Sequence, residues 1–255
     1  GKEVGRPYRS KFAQSQCKHY NTINVNLGYD FITDMLVLEF ALDTQQIDTY
    51  RADNWLNRAA QSLAEALRLA ASKELDVEFT ELVTGFRLRN NSNGFFVDLY
   101  LYDNLSSGAG YAVAVSKEIG TLLKETETIL KSCSCESACH SCLKHYRNQF
   151  VHGMLDRLAA LDLLNWGVHG QLAPKLPLEM QKDYLNPLCR ILEDSGYTIR
   201  VESTGIIISN QYQKKKVIIY PAMWVEPSNA GEIYLSDASL KYAKPYALQK
   251  IIDSF

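Results

Sequence analysis

Four of the six cysteines in this chain of 255 residues fall within a single ten-residue window, Cys133, Cys135, Cys139 and Cys142, spaced Cys-x-Cys-x3-Cys-x2-Cys. No other feature limits the local fold as strongly. Four thiolates suit a borderline-soft ion in tetrahedral geometry. Cys139-His140-Ser141-Cys142 has the two-residue gap that lets both sulfurs wrap one metal, and Cys133-Ser134-Cys135 is a tighter, extended pair. No long loop has to close, so the ordering cost is modest. Four sulfurs leave no open coordination position, so the spacing predicts one structural zinc and not a catalytic one. An iron–sulfur cluster on the same four sulfurs is the weaker alternative, and free thiols or His140 as a replacement ligand are weaker still.

The remaining cysteines, Cys17 and Cys189, stand alone. A secreted disulfide framework would spread its cysteines more evenly, so the clustering points to a reducing compartment and a cytoplasmic location. The opening GKEVGRPYRSK is polar and basic, and no run approaches the ~20 apolar residues that span a bilayer. No membrane partner is expected. The first residue is not Met, and the expectation is that the chain is a fragment. Formal net charge is −2, so any affinity for DNA must come from local patches.

Periodicity supplies the elements. Residues 1–22 read as an irregular basic lead, and residues 23–42 alternate loosely through Val25, Leu27 and Phe31. Met35 to Phe40 then forms a compact apolar run, as for a buried strand, with Asp34 before it. Residues 53–73 place Trp55, Leu56, Ala59, Ala60, Leu63, Ala66, Leu67 and Ala70 on one helical stripe, with Asp53 or Asn54 as cap. Phe79–Leu88, broken at Gly85, and Phe95–Tyr102 read as a hairpin across the Asn90–Gly94 turn. A helix over 111–130 precedes the cysteines, and another over 150–166 follows them. Gly167, Gly170, Pro174 and Pro177 mark an internal boundary. Beyond it come a helix at 179–194, strands at 197–202, 205–209 and 216–220, a turn holding Lys214–Lys216, and a terminal helix within 236–253. The expected fold is α+β: a mixed or antiparallel sheet packed on helices with a four-cysteine zinc knuckle, divided into residues 1–170 and a small α/β or β-rich subdomain at 171–255.

Other chemistry is weaker. The loop Asp103–Tyr111 has small residues ahead of a helix and could face an anion, although a tight strand-to-helix turn explains it better. No GxxxxGK[ST] sequence is present, so no nucleotide-hydrolysing core is expected in this chain. Lys144, Arg147 and Arg157, with His145, Tyr146 and Gln149, form a basic and aromatic stretch able to touch phosphates and bases. His152 and Asp156 share a face at four-residue spacing, which suits a hydrogen-bond network more than acid–base catalysis.

Several stretches resemble the C-terminal zinc-binding domain of mitomycin-repair-type superfamily 2 helicases, a former domain of unknown function found also in anti-phage defence helicases and their partners. They are LGYDFITDMLVLEF (27–40), SLAEALRLAAS (62–72), LYDNLSSGAGYA (101–112) and CSCESACHSCLKHYRNQFVHGMLDRLAALDLL (133–164). The family usually has two glycines where Ser106 and Ser107 stand here. The resemblance implies Cys133, Cys135, Cys139 and Cys142 as zinc ligands. It also implies a DNA-translocating motor elsewhere in the same polypeptide or in a partner subunit, serving DNA repair or antiviral defence. The expected role is a non-catalytic, helicase-associated, DNA-binding accessory domain that guides DNA or docks the motor. The rivals are a protein-interaction scaffold without nucleic-acid contact and an enzyme with a site near Asp103, His152 and Asp156.

Overall fold

The apolar run that follows Asp34 becomes a strand, β1 (Met35–Leu42), but not the buried one expected: it is an edge of a three-stranded antiparallel sheet, with Met35 and Val37 exposed. This sheet belongs to a computed structural model that describes residues 28, 30–50, 53–203 and 205–255. The expected basic lead, with Val25 and Leu27, lies outside the described residues. The hairpin partners are β2 (Leu82–Asn91) and β3 (Gly94–Asp103), in the order β1-β3-β2. Alternate side chains of β3, among them Phe95, Val97, Leu99 and Leu101, are buried, as the two-residue period of a one-sided sheet requires. Gly85 does not break β2. It pairs opposite Tyr100, whose ring lies where a Cβ would stand, 2.6 Å away, so an aromatic neighbour covers the missing side chain.

Helix α1 (Trp55–Glu74) crosses beneath this sheet. Its buried set is broader than one stripe and includes Ala64, Glu65 and Ala71, because α1 also packs against α3 (Ile119–Lys131) and α4 (Arg157–His169). Alanine at the contacts lets those helices approach closely. Asp53 accepts a hydrogen bond from the Trp55 N–H at 3.1 Å, the capping contact expected of it. The helix read as one element over 111–130 is two. The short α2 (Tyr111–Lys117) ends at Glu118, whose φ of −119° and ψ of 41° leave the helical region, and α3 starts afresh. Gly120, the second residue of α3, is the one local mark of this break, which the apolar spacing does not show.

Past Gly170, which takes the left-handed conformation at the end of α4, a second sheet forms with the order β4-β5-β6-β7. Its strands are β4 (Thr198–Glu202), β5 (Gly205–Ser209), β6 (Lys214–Tyr220) and β7 (Glu232–Ser236). Helices α5 (Leu178–Asp194), α6 (Asp237–Tyr242) and α7 (Lys244–Ile252) complete this layer. Lys214–Lys216 lie in β6 and not in the turn before it. Strand β7 had no counterpart in the sequence reading. It pairs parallel to β6, but residues 221–231 make no helix between them, so the usual β-α-β signal is missing.

Each sheet has its own apolar core, one around α1 and one around Leu185, Leu192, Ile208 and Ile219. The seam between them is well bonded. Ala222, Met223 and Ala238 join the first core, Ser236 Oγ donates to Asp53 Oδ2 at 2.6 Å, and Trp224 Nε1 donates to the Ala173 carbonyl at 2.9 Å. Thr33–Phe255 forms one compact unit. Among the described residues, no helix is long and apolar enough to cross a membrane.

A small acidic cluster sits at this seam. Burial first, then the carboxylates of Asp237 and Asp156, push Asp162 up to about 8 against the pull of Lys241. Such a carboxyl is protonated in the fold but ionised in the unfolded chain between its ordinary value near 3.8 and about 8. The unfolded state then holds fewer protons, so stability is fully present below pH 3.8 and is lost as pH rises through that window. Asp162→Asn is expected to raise the urea midpoint at pH 8 and to leave it nearly unchanged at pH 4. Equal effects at both pH values would refute the assignment.

Candidate metal centre

The knuckle begins where α3 stops at Lys131. Cys133 and Cys135 follow that end outside any helix or strand, and the chain turns back through Cys139 and Cys142. The return is a tight turn in which the Cys142 and Lys144 N–H groups donate to the Cys139 carbonyl at 3.2 and 3.0 Å. The Cys139 N–H points at Cys142 Sγ, 3.2 Å away. Fully buried Leu130 and Leu143 tie both ends to the first core.

The four sulfurs lie within 4.8 Å of one another. Cys133 and Cys139 are 3.5 Å apart, Cys135 and Cys142 3.7 Å, and Cys139 and Cys142 3.8 Å. A tetrahedron with metal–sulfur bonds of about 2.3 Å has edges of about 3.8 Å. The cluster is therefore able to bind a metal and is geometrically consistent with a structural zinc site. Burial pushes the Cys135 thiol up to about 12 and raises Cys142, while the Ser141 backbone N–H leads the contacts that hold Cys139 down, to about 7. A bound dication would overcome this spread, because the thiolate is the ligand form.

Arg157 points inward. It is 8% exposed, donates from Nε to the Cys135 carbonyl at 2.8 Å and from Nη1 to the Leu130 carbonyl at 3.1 Å, and its own N–H meets the Ser137 carbonyl at 2.8 Å. Its charge thus stands beside the sulfurs, where it offsets their negative charge. The phosphate contact expected of it from sequence does not match this placement. Lys144 is half-buried, whereas Arg147 is exposed.

The helix expected from residue 150 starts at Arg157. Residues Tyr146–Met154 form a 3-10 helix instead, around a buried asparagine. Asn148 Nδ2 donates to Glu65 Oε2 at 3.1 Å and to the Leu143 carbonyl at 2.9 Å, and its Oδ1 accepts from the His145 N–H at 3.0 Å. His152 Nε2 lies 2.9 Å from that Oδ1 and 3.0 Å from the His145 carbonyl. Both partners accept, so Nε2 carries the proton. His140 stacks edge-on against His152. Asn148 uses its full hydrogen-bonding capacity, which locks the loop that follows the last cysteine. Glu65 was missed in the sequence because it sits unmarked among the alanines of α1.

Asp156 caps α4, accepting from the N–H groups of Leu158 and Ala159 at 2.9 and 3.2 Å. Its other oxygen accepts from Tyr242 OH at 2.7 Å. Asp103 is fully buried and accepts three backbone N–H bonds, from Ala109, Tyr111 and Ala112 at 2.6–3.0 Å. The Asp103 carboxylate itself thus takes the place an external anion would need at this turn. Ser107 has φ of 75°, a conformation that favours glycine, which is a physical reason for a glycine pair at this loop. Asp103, His152 and Asp156 are each committed to separate structural bonds.

Residues 63–143 match the family profile of the MrfA Zn-binding domain, a span that contains all four clustered cysteines. This segment is similar to the MrfA-type zinc-binding domain. The chain is also 33% identical over 222 residues to Druantia protein DruE of Escherichia coli (strain UMEA 4076-1). That match covers 83% of this chain and 12% of the relative's length. A crystal structure of the DUF1998 helicase MrfA bound to DNA aligns with 55% of this chain and 26% of its own, at 12% identity and a TM-score of 0.37. The α+β fold therefore rests on the elements described above.

Proposed function

We propose that this chain is a non-catalytic, zinc-stapled accessory module of a superfamily 2 helicase assembly, acting on DNA in anti-phage defence or repair. The observation that carries the reading is the sulfur tetrahedron with a cationic loop immediately after it. In this reading Cys133, Cys135, Cys139 and Cys142 are the ligands of one structural Zn2+. Residues up to 170 form the zinc-binding part, and residues 171–255 a small α/β subdomain that backs it through Tyr242 and Trp224. The motor lies in the same polypeptide or in a partner subunit, and the location is cytoplasmic, where thiolates stay reduced. Similarity to Druantia protein DruE supports the defence context.

Lys144 and Arg147 are the proposed phosphate contacts. From His140 to Leu155 the chain has no Asp or Glu, although it holds 29 acidic residues in all. Lys144 and Arg147 are therefore the charged side chains that this stretch itself contributes, in a chain of net charge −2. Lys144→Glu with Arg147→Glu is expected to weaken binding of the zinc-loaded chain to DNA and to flatten its salt dependence by roughly 1.5 in the log–log slope. Unchanged binding and slope, with a stable stoichiometric complex with a motor subunit, would favour the scaffold reading instead.

A further inference from the structure

The 3-10 helix after the knuckle carries two large aromatic rings in open solvent. Tyr146 is 77% exposed and Phe150 83%. Isolated exposed apolar residues are ordinary, but this pair has a defined setting. Asn148 lies between them, fully buried, with every polar atom bonded. The backbone carrying the rings is therefore fixed from below by Glu65, Leu143 and the zinc knuckle. The rings themselves contribute little to the core, so packing does not account for them.

Their surroundings select a partner. The loop from His140 to Leu155 is free of carboxylates and carries Lys144 and exposed Arg147. An apolar protein surface would need no such charge, whereas a polyanion with flat apolar rings would use both features. We infer that Tyr146 and Phe150 form a stacking platform for unpaired bases of single-stranded DNA, with Arg147 between them in sequence on the phosphate side. This rests on the DNA-guiding reading and narrows its substrate to the unpaired strand, because bases in an intact duplex are already stacked and present only their edges.

The test compares the zinc-loaded full chain with Tyr146→Ala and Phe150→Ala, alone and together, on labelled oligo(dT) and on a blunt duplex of equal length across a salt series. Removing one stacking ring is expected to weaken oligo(dT) binding roughly 5- to 50-fold. Duplex binding should change less than twofold, and the salt slope should stay that of the wild type, since no charge is lost. Zinc content and thermal midpoint should also hold, because both rings are exposed. The parent reading fails separately, through a wild-type chain that binds neither probe. The platform itself is refuted if the double variant holds oligo(dT) as tightly as wild type, or if both probes weaken equally. It is also refuted if the variants keep DNA binding but lose association with a motor subunit.

Discussion

Cys142→Ala is expected to abolish stoichiometric metal binding and to lower the thermal midpoint by about 10–20 °C. Structural zinc sites in small peptides bind with about 10 kcal/mol or more of free energy, which appears as folding free energy. Here the flanking helices have their own core, so roughly half of that is a reasonable share for the knuckle. At about 2–4 °C per kcal/mol for a domain of this size, 5 kcal/mol gives the stated range. The loss should be local at first. Without the ion, four half-buried sulfurs lose their common partner, and the Arg157 guanidinium remains beside carbonyls whose loop is no longer held. Hydrogen exchange should then rise from Cys133 to Asn148 before it rises in β3. Cys189→Ala is the matched control, since that thiol packs in the second core, away from the cluster. Elemental analysis and visible absorbance identify the ion, because an iron–sulfur cluster would be coloured and contain iron. A metal-free Cys142→Ala chain with the wild-type midpoint would remove the structural role altogether.

Local signals made the metal site legible and left its support hidden. Four cysteines at short spacing need no long loop to converge, so their chain order carries most of the site. Helix α1 and the β2–β3 hairpin were legible for the same reason, through the alanine–leucine stripe and the Asn90–Gly94 turn. The misses depend on partners distant in sequence. Glu65 is buried because Asn148, 83 residues later, donates to it. Strand β7 exists because β6 offers an edge in parallel register. Arg157 read as a surface cation because nothing in its neighbourhood shows that Cys135 and Leu130 would turn carbonyls toward it. The stretch from Asp103 read better as a tight turn than as an anion site, and it is one, but the sequence did not show that the Asp103 carboxylate itself closes it. At Arg157 and Asp103 a single polar side chain satisfies backbone groups that periodicity cannot pair.

Asp156→Ala is the second large effect and the one that separates structure from catalysis. The carboxylate caps two N–H groups of α4, accepts the Tyr242 hydroxyl and lies 3.7 Å from Lys241 Nζ, all while 3% exposed. Loss of the cap costs about 1 kcal/mol, and leaving the Tyr242 hydroxyl without its acceptor and Lys241 with Asp237 as its remaining carboxylate adds about 3 kcal/mol. Relief of repulsion on Asp162 returns part of this, more at pH 8 than at pH 5, because Asp156 helps to raise that carboxyl. The expected fall in midpoint is therefore about 8–16 °C near pH 5 and smaller near pH 8. Asp156→Asn should recover the cap through its amide oxygen, with the amide NH2 turned to donate to the Tyr242 hydroxyl oxygen, while still losing the ionic part. Zinc content should be normal in both variants, because the cysteines do not bond to this carboxylate. A catalytic Asp156 would behave differently: Asp156→Asn would abolish a measurable turnover with the thermal midpoint unmoved. The same logic applies to His152, whose Nε2 proton is already shared between two acceptors in the fold and is not directed at a substrate.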